Sequence, residues 1–414
     1  MRPKYHTYPV SIIQLCMAFK LQSSASFRAI TQIILAMNLY LETSFKVPSH
    51  STVLLWMKKY GYHELCKAKE IADDWVVILD ESVQFGQNKL LVIYGIRHCD
   101  IDFSRPLLYR DLTTLALISK SSWNGDDIKE VLVDVEKRVG KIRYAVADQG
   151  NSIRKALKLL NIPHIYDLTH CISLIVEHIY KEDPQFQAYT KKMAHLRGTQ
   201  ALGKMAHVLP PLQRCKARFM NLRPISDWGT SVLNLLDSQP GDFGEEKVNL
   251  AWVVSYRELI GELYLLNKII NNIQSLIKKK GLSKENFQRC KQILEQASTK
   301  RLIRFKNVIT DHFEKSINTL PQLDHILCSS DILESSFGKY KNYLQDNPMV
   351  GITNLCLSIA AFTGTIKVDE IKQAFETTRV NQINKWTLSN IGKTTLAKRM
   401  EVLKKGVKRK IENN

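Results

Sequence analysis

The sequence predicts a mixed α/β (α+β) fold in which a β-sheet with packed helices is joined to helical regions. Between Trp75 and Tyr166, short β-branched or apolar runs alternate with amphipathic stretches, which is typical of a sheet with crossover helices. Residues 1–70 and 171–328 instead repeat apolar residues at helical spacing. We therefore expect an α/β core, an all-α N-terminal region and a large all-α insertion.

Residues 1–70 are predicted to form three short helices. Val47-Pro48-Ser49 breaks the chain, Ser49 is a good N-cap for the third helix, and Gly61 is expected to end that helix. Polar residues begin this helix and lysines end it, and the region holds nine Lys and Arg against three Asp and Glu. We expect a helix-turn-helix that reads a DNA major groove. The alternative is an ordinary three-helix cap on the next domain. The residues expected to contact DNA here are Ser49, His50, Ser51, Thr52, Lys58 and Lys59.

The α/β core is assigned to residues 71–170 and 329–365. Its early strands follow one another without intervening helices, so the sheet should be mixed and not doubly wound. Crossover helices are predicted around 128–135, where Gly140 ends the first, and at 152–160. The predicted strands are WVVILD (75–80), KLLVIYGI (89–96), PLLYRDLTTLAL (106–117), IRYAVAD (142–148) and IPHIY (162–166).

The remaining chain is predicted to be helical and then basic. The insertion, residues 171–328, is interrupted by a Pro/Gly-rich island at 223–244. Residues 366–414 are predicted to be a basic C-terminal tail, with twelve Lys and Arg against five Asp and Glu from Lys367 onward. Its end, KKGVKRKIENN, is expected to be a solvated arm.

The composition indicates which partners and cofactors to expect. A formal net charge of +19 points to a polyanionic partner, with nucleic acid first. No apolar run is long enough to span a bilayer, and Gln14 interrupts the first apolar stretch, so we expect a cytoplasmic protein without membrane contact. The eight cysteines are scattered singly, which indicates neither a zinc finger nor a disulfide framework. GKTT at 392–395 lacks the first glycine of a phosphate loop, so no nucleotide cofactor is expected.

Two aspartates suggest a metal site. Asp80 ends one buried strand and Asp148 ends another. Carboxylates at the ends of neighbouring strands can converge, and two such charges repel unless a cation lies between them. A hard divalent metal is the natural partner. The alternative is that each aspartate only ends a strand or begins a turn.

Glu334 is the expected third acid. It shares one helix face with Gly338 and Lys341, so that face presents an acid, a gap and a base. Gly338 would let a substrate backbone approach, and Lys339 or Lys341 would hold a phosphate. The alternative is a solvated helix face. Glu81 should point to the sheet face opposite Asp80 and is left out of the site.

Four segments together resemble DDE transposases with a ribonuclease H-like catalytic domain. They are VILDES at Asp80, AVADQGNSIRKAL at Asp148, YDLTH before Cys171, and SSDILESSFGKYK at Glu334. The D-x-x-H after the second aspartate and the long helical insertion are similar to the Mutator-like and hAT groups and to transposases of bacterial insertion sequences. The resemblance runs from about Trp75 to Lys341.

The resemblance implies a catalytic centre and its partners. Asp80, Asp148 and Glu334 would hold two Mg²⁺ or Mn²⁺ ions for metal-dependent DNA strand cleavage and strand transfer. The protein would bind the terminal inverted repeats of its element in double-stranded DNA and act as a homodimer or higher oligomer. Its expected location is the bacterial nucleoid.

Three further residues would position a substrate strand in such an enzyme. Asp167 and His170 form the D-x-x-H, for which the alternative is a helix cap with His170 in the first turn. Trp228 would stack on an unpaired base, and the alternative is a buried or loop-anchoring tryptophan.

Two other functions stay open at this point. One is a non-catalytic DNA-binding protein derived from a transposase, and the other is a structure-selective ribonuclease H-like nuclease.

Overall fold

The computed structural model describes residues 2–4, 6–23, 25–82, 88–213, 219, 221–238, 249–344, 351–394 and 396–403. The chain divides into two compact units. The first comprises Met1–Asp102, Leu107–His164 and Ser330–Asn414, and the second comprises Phe103–Pro106 and Ile165–Ser329.

The elements follow one another in this order. Through the first unit and to its edge they are α1 (Val10–Gln22), α2 (Phe27–Tyr40), α3 (His50–Cys66), β1 (Ala72–Glu81), β2 (Lys89–Arg97), β3 (Thr113–Lys120), α4 (Gly125–Val139), β4 (Gly140–Ala147), α5 (Asn151–Leu159) and β5 (His164–Tyr166). The second unit contains α6 (Leu168–Tyr180), α7 (Pro184–Gln200), α8 (Arg223–Asp237), α9 (Arg257–Lys280), α10 (Lys284–Leu294) and α11 (Lys300–Thr319). The chain returns to the first unit with α12 (Asp331–Tyr343), α13 (Leu357–Phe362), α14 (Val368–Thr377) and α15 (Val380–Asn390).

The five strands form one mixed sheet in the order β3-β2-β1-β4-β5. The first three strands are antiparallel neighbours. β4 pairs parallel with β1, since α4 carries the chain across the sheet before β4 begins. The predicted mixed α/β class and its ribonuclease H-like sheet are confirmed.

One face of the sheet is covered by α4 and α5. Trp75, Val77 and Leu79 alternate along β1 and lie in the same core as Ile128 of α4 and Ile153 of α5. The Asn124 side chain caps α4, and Gly140 ends it with a φ of 92°. The predicted crossover helix and its glycine end are confirmed.

The third strand is shorter than predicted. β3 begins at Thr113, whereas Tyr109–Asp111 form a 3₁₀ turn. The Asp111 carboxylate accepts a hydrogen bond of 2.8 Å from the backbone N–H of Leu108. Such a local bond between side chain and backbone competes with strand pairing. The first half of PLLYRDLTTLAL is therefore a turn and not a strand.

The third helix was expected to end at Gly61. It continues instead to Cys66. A side chain at Gly61 would collide with the backbone carbonyl of Leu357 in α13. The glycine therefore lets two helices pack closely, and it does not provide a left-handed helix end.

Part of the predicted basic C-terminal region, residues 366–414, is helical and packed against the N-terminal helices. Ile371, Ala374 and Phe375 of α14 are buried in a core shared with α1, α2, α3 and Ala361 of α13. Their spacing is that of an amphipathic helix, which outweighs the local charge. The segment KKGVKRKIENN lies outside the described residues.

The second unit is built from helices, with a short antiparallel bridge between Leu282 and Ile326. The expected Pro/Gly-rich interruption is half helical, because α8 covers its first fifteen residues. Pro224 stands in the first turn of α8, where its missing N–H costs no hydrogen bond. Residues 239–248 lie outside the described residues.

Within the described ranges, no helix is both long enough and apolar enough to cross a bilayer.

Candidate active site

Asp80 and Asp148 take matching positions at the carboxyl ends of two parallel strands. The register pairs Ile78 of β1 with Val146 of β4. Asp80 lies two residues beyond Ile78 within β1, and Asp148 lies two residues beyond Val146, directly after β4 ends at Ala147. If the path of β4 is continued by one residue, the alternation of a strand puts both aspartates on one face. Neighbouring strands lie about 4.8 Å apart, which brings the two carboxylates within reach of one ion. Both residues are half-buried.

Glu81 lies on the opposite face of β1. The strand runs one residue past Asp80, and Glu81 pairs in register with Leu91 of β2, a residue of the core under α4 and α5. The Glu81 carboxylate forms an ion pair of 3.1 Å with Lys89. Its exclusion from the site agrees with this geometry.

The Asp148 carboxylate is held by its own turn and has a histidine neighbour. Its Oδ1 accepts a hydrogen bond of 2.9 Å from the backbone N–H of Gly150. His164, at the start of β5, places Nε2 3.4 Å from the carbonyl oxygen of Ala147. Burial lowers the pKa of His164, and the nearby Asp148 charge opposes this. Sequence reasoning missed His164, although its position in the strand IPHIY was a usable signal.

Glu334 lies on the helix that covers the aspartate face of the sheet. Tyr94 of β2 pairs in register with Ile78, so it shares a face with Asp80. The Tyr94 hydroxyl lies 2.8 Å from the Ser336 hydroxyl of α12. Glu334 stands two residues before Ser336 and is exposed. The buried hydroxyl pair therefore fixes the helix that carries the third predicted acid.

The three acids do not form a closed cluster. Among the residues that the structure describes, no three His, Cys, Asp or Glu side chains are grouped as a metal site. Asp80 and Asp148 lie at the ends of neighbouring strands, and Glu334 lies on α12.

The start of α3 is accessible, but Lys59 is not. The Ser49 hydroxyl caps the helix by accepting a hydrogen bond of 3.2 Å from the Thr52 N–H, and Ser49, His50 and Ser51 are exposed. Lys59 is only 8% exposed, and its Nζ lies 3.5 Å from His6 Nε2.

Contact of Lys58 and Lys59 with DNA stays a prediction, and the two lysines differ in exposure, since Lys58 is half-buried and Lys59 is buried. Because α3 continues to Cys66, Lys58 and Lys59 are mid-helix residues, and burial lowers the pKa of both. Lys59 is a core residue here.

The exposed face of α12 has the predicted acid, gap and base. Glu334, Gly338 and Lys341 are all exposed, and nothing lies within 4 Å of a Cβ placed on Gly338. Lys339 lies on another side, with its Nζ 4.3 Å from the ring centroid of Tyr109. Burial lowers the pKa of Lys339.

Asp167, His170 and Trp228 belong to the second unit and have structural contacts there. Asp167 is 1% exposed and caps α6, accepting a hydrogen bond of 2.8 Å from the His170 N–H. The His170 ring Nδ1 lies 2.9 Å from the same carboxylate oxygen. The Trp228 Nε1 donates to the Val208 carbonyl at 3.0 Å, and α8 carries this residue. These contacts favour the capping and anchoring alternatives, and strand positioning stays a prediction.

Comparison with known proteins gives a distant structural likeness. No family model and no curated protein sequence matches the chain. Among solved structures, the Drosophila P element transposase strand transfer complex aligns with 91% of this chain and 94% of that chain. The identity is 12% and the TM-score is 0.40.

Proposed function

We propose that this chain is a DDE-type transposase, an enzyme that cuts and joins DNA strands at the ends of its own element. The observation that carries the proposal is the position of Asp80 in β1 and of Asp148 directly after β4, each two residues beyond the paired residues Ile78 and Val146. Two carboxylates side by side on one face of a mixed sheet are a natural ligand pair for a divalent cation.

The donor chemistry fits Mg²⁺ or Mn²⁺, which prefer oxygen ligands. Asp80 and Asp148 would hold two ions, and Glu334 would complete the site when its side chain turns toward the pair. Bound there, the ions would activate the attacking oxygen and stabilise the leaving 3′ oxygen of an in-line phosphodiester displacement. Water as attacking group gives strand cleavage, and a DNA 3′-hydroxyl gives strand transfer.

Other residues would orient the DNA and balance its charge. Lys341 lies on the exposed face of α12 that carries Glu334, so it can approach the phosphoryl oxygens on which charge accumulates. The Gly150 N–H holds the Asp148 carboxylate in place through a bond of 2.9 Å. Gly338 leaves room for a DNA backbone beside the helix.

The partner in this proposal is double-stranded DNA. The net charge of +19 favours a polyanion, and the exposed residues Ser49, His50 and Ser51 at the start of α3 can reach it. We propose recognition of terminal inverted repeats by this region, and pairing of two ends by a homodimer or larger assembly.

The experiment is a cleavage assay on DNA that carries the flanks of the protein's own coding sequence, with Mg²⁺ or Mn²⁺. It compares wild type with Asp80→Asn, Asp148→Asn and Glu334→Gln, each first shown to be folded. The matched control is Glu81→Gln, which removes a neighbouring acid on the opposite sheet face.

We expect wild type and the control to cut at defined flank positions and the other three variants to fail. Equal cutting by all variants would mean that other acids do the chemistry. Specific binding without cutting by any protein would favour a non-catalytic DNA-binding protein, and cutting only at branched DNA would favour a structure-selective nuclease.

A further inference from the structure

A cavity of about 410 Å³ lies in the first unit, away from the three acids. The end of α1, the start of α2 and the last turns of α12 surround it. Its lining includes two lysines, two serines and two aromatic residues and contains no acid among the described residues. These six are Lys20, Ser23, Ser26, Phe27, Lys339 and Tyr343.

Lys20 is a buried lysine that has no acidic partner among the described residues. It is 3% exposed, and its Nζ donates to the Ala25 carbonyl at 3.0 Å. The same Nζ lies 3.6 Å from the ring centroid of Tyr343 and 4.6 Å from that of Phe27. No carboxylate in the described part of the chain pairs with it or affects its protonation. Aromatic faces offset only part of the cost of burying an ammonium group, so an anion beside Lys20 would be stabilised.

The other groups that line the cavity also favour an anion. Lys339 of α12 also lines the cavity, and its Nζ lies 4.3 Å from the ring centroid of Tyr109. Ser26 caps the fourteen-residue helix α2, accepting a hydrogen bond of 3.1 Å from the Ala29 N–H, and the first turn of α2 contains no acid. Helix N-termini attract anions through their unpaired N–H groups. Two lysines and a helix N-terminus therefore converge on one space.

We propose that this cavity binds a phosphate group of the DNA backbone, at a point separate from the cleavage site. The assignment of the phosphate to DNA rests on the proposed function. Lys339 and Asn342, which line the cavity, follow Glu334 by five and eight residues on α12. At about 1.5 Å of rise per residue they lie about 7 to 12 Å further along the helix. A distance of about 7 to 12 Å corresponds to a few nucleotides of one DNA strand, since each nucleotide adds about 3.4 Å along the duplex axis.

The first experiment uses inorganic phosphate as the probe and needs no DNA. Thermal unfolding of wild type, Lys20→Met, Lys339→Met and the control Lys137→Met is measured with increasing phosphate at constant ionic strength. Lys137 is 70% exposed on α4, beneath the opposite face of the sheet, so the control loses the same charge elsewhere. Phosphate should raise the midpoint of wild type and the control in a saturable manner. The rise should be lost in Lys20→Met and reduced in Lys339→Met.

The second experiment measures the affinity for a short DNA duplex as a function of salt concentration. Losing one phosphate contact should lower the slope of log affinity against log salt by about 1 in Lys20→Met, and the control should match wild type.

The two experiments separate the possible outcomes. A phosphate effect lost in Lys20→Met together with an unchanged DNA slope would overturn the DNA assignment and favour a free phosphate compound. No dependence on Lys20 in either experiment would overturn the cavity proposal. A wild-type protein that binds no DNA would contradict the proposed function, while the phosphate experiment would still test the cavity.

Discussion

The Tyr94 hydroxyl of β2 and the Ser336 hydroxyl of α12 lie 2.8 Å apart in a buried contact between sheet and helix. Tyr94 also donates a hydrogen bond of 3.3 Å to the Ile359 carbonyl in α13. It therefore connects the sheet to both α12 and α13. Because Ser336 is two residues from Glu334, this contact determines where the third acid stands relative to Asp80.

Removal of this hydroxyl should therefore impair catalysis more than stability. Tyr94→Phe should lower the free energy of unfolding by about 0.5 to 1.5 kcal/mol, the usual effect of one lost hydrogen bond. DNA cleavage should fall by a larger factor, since α12 loses its fixed position. Urea unfolding and single-turnover cleavage measure the two effects. A rate equal to that of wild type would show that the contact does not position Glu334.

Divalent cations should stabilise the protein through the aspartate pair. Two adjacent carboxylates repel one another, and a bound cation removes that repulsion. MgCl₂ should raise the Tm of wild type and of Glu81→Gln, and it should have little effect on Asp80→Asn or Asp148→Asn. Without metal, both asparagine variants should be at least as stable as wild type. A Mg²⁺ response that persists in these variants would place the ion elsewhere.

Lys20 should make stability depend on pH in the alkaline range. Burial lowers the pKa of Lys20 from 10.5 to about 8. The folded state thus binds this proton less tightly than the unfolded state, so the destabilisation is complete below about pH 8 and disappears as pH rises toward 10.5. In phosphate-free buffer, Lys20→Met should be more stable than wild type at pH 7 and lose this advantage at pH 10. Urea unfolding at both pH values tests this, and a constant difference would contradict it.

Gly61 should tolerate no side chain. Gly61→Ala places a methyl group against the Leu357 carbonyl and should cost about 1 to 3 kcal/mol of unfolding free energy, as overpacked cores do. The control is Gly261→Ala in α9, where nothing lies within 4 Å of the new Cβ. That change should stabilise the helix by about 0.5 to 1 kcal/mol. Equal responses of the two variants in urea unfolding would argue against the close helix packing.

Asp167 should stabilise α6 as its N-cap, independently of the predicted role in positioning a DNA strand. Asp167→Ala should cost about 0.5 to 2 kcal/mol, whereas Asp167→Asn, which keeps an acceptor oxygen, should cost less. Chemical unfolding measures this difference. If the asparagine variant folds normally and still loses cleavage, the carboxylate has a role beyond the cap.

The sheet and its two aspartates were predictable because each depends on local pattern. Continuous apolar runs mark β1 and β4, and Asp80 and Asp148 follow these runs directly. The register that joins them was not predictable, since it depends on how α4 returns the chain to β1. The strand IPHIY was predicted, but His164 was missed because the sequence alone does not show that this residue lies near Asp148.

The end of α3 and the packing of α14 were both misjudged from the sequence, and for the same physical reason. A glycine that ends a helix and a glycine that lets helices pack closely look alike in sequence, and only the approach of Leu357 distinguishes Gly61. The apolar stripe of α14 was masked by the charge around it, although Ile371, Ala374 and Phe375 have helical spacing. In both cases the outcome depends on contacts with distant parts of the chain, which local composition does not show.

The core that α1, α2 and α3 share with Ala361 and α14 has a consequence for how the protein is made. The partners that bury Trp56 and Tyr60 are separated from them by some three hundred residues of chain. During synthesis the first three helices emerge from the ribosome long before those partners exist. The apolar surface of the N-terminal helices that these partners cover therefore stays exposed until Ala361 and α14 have been translated.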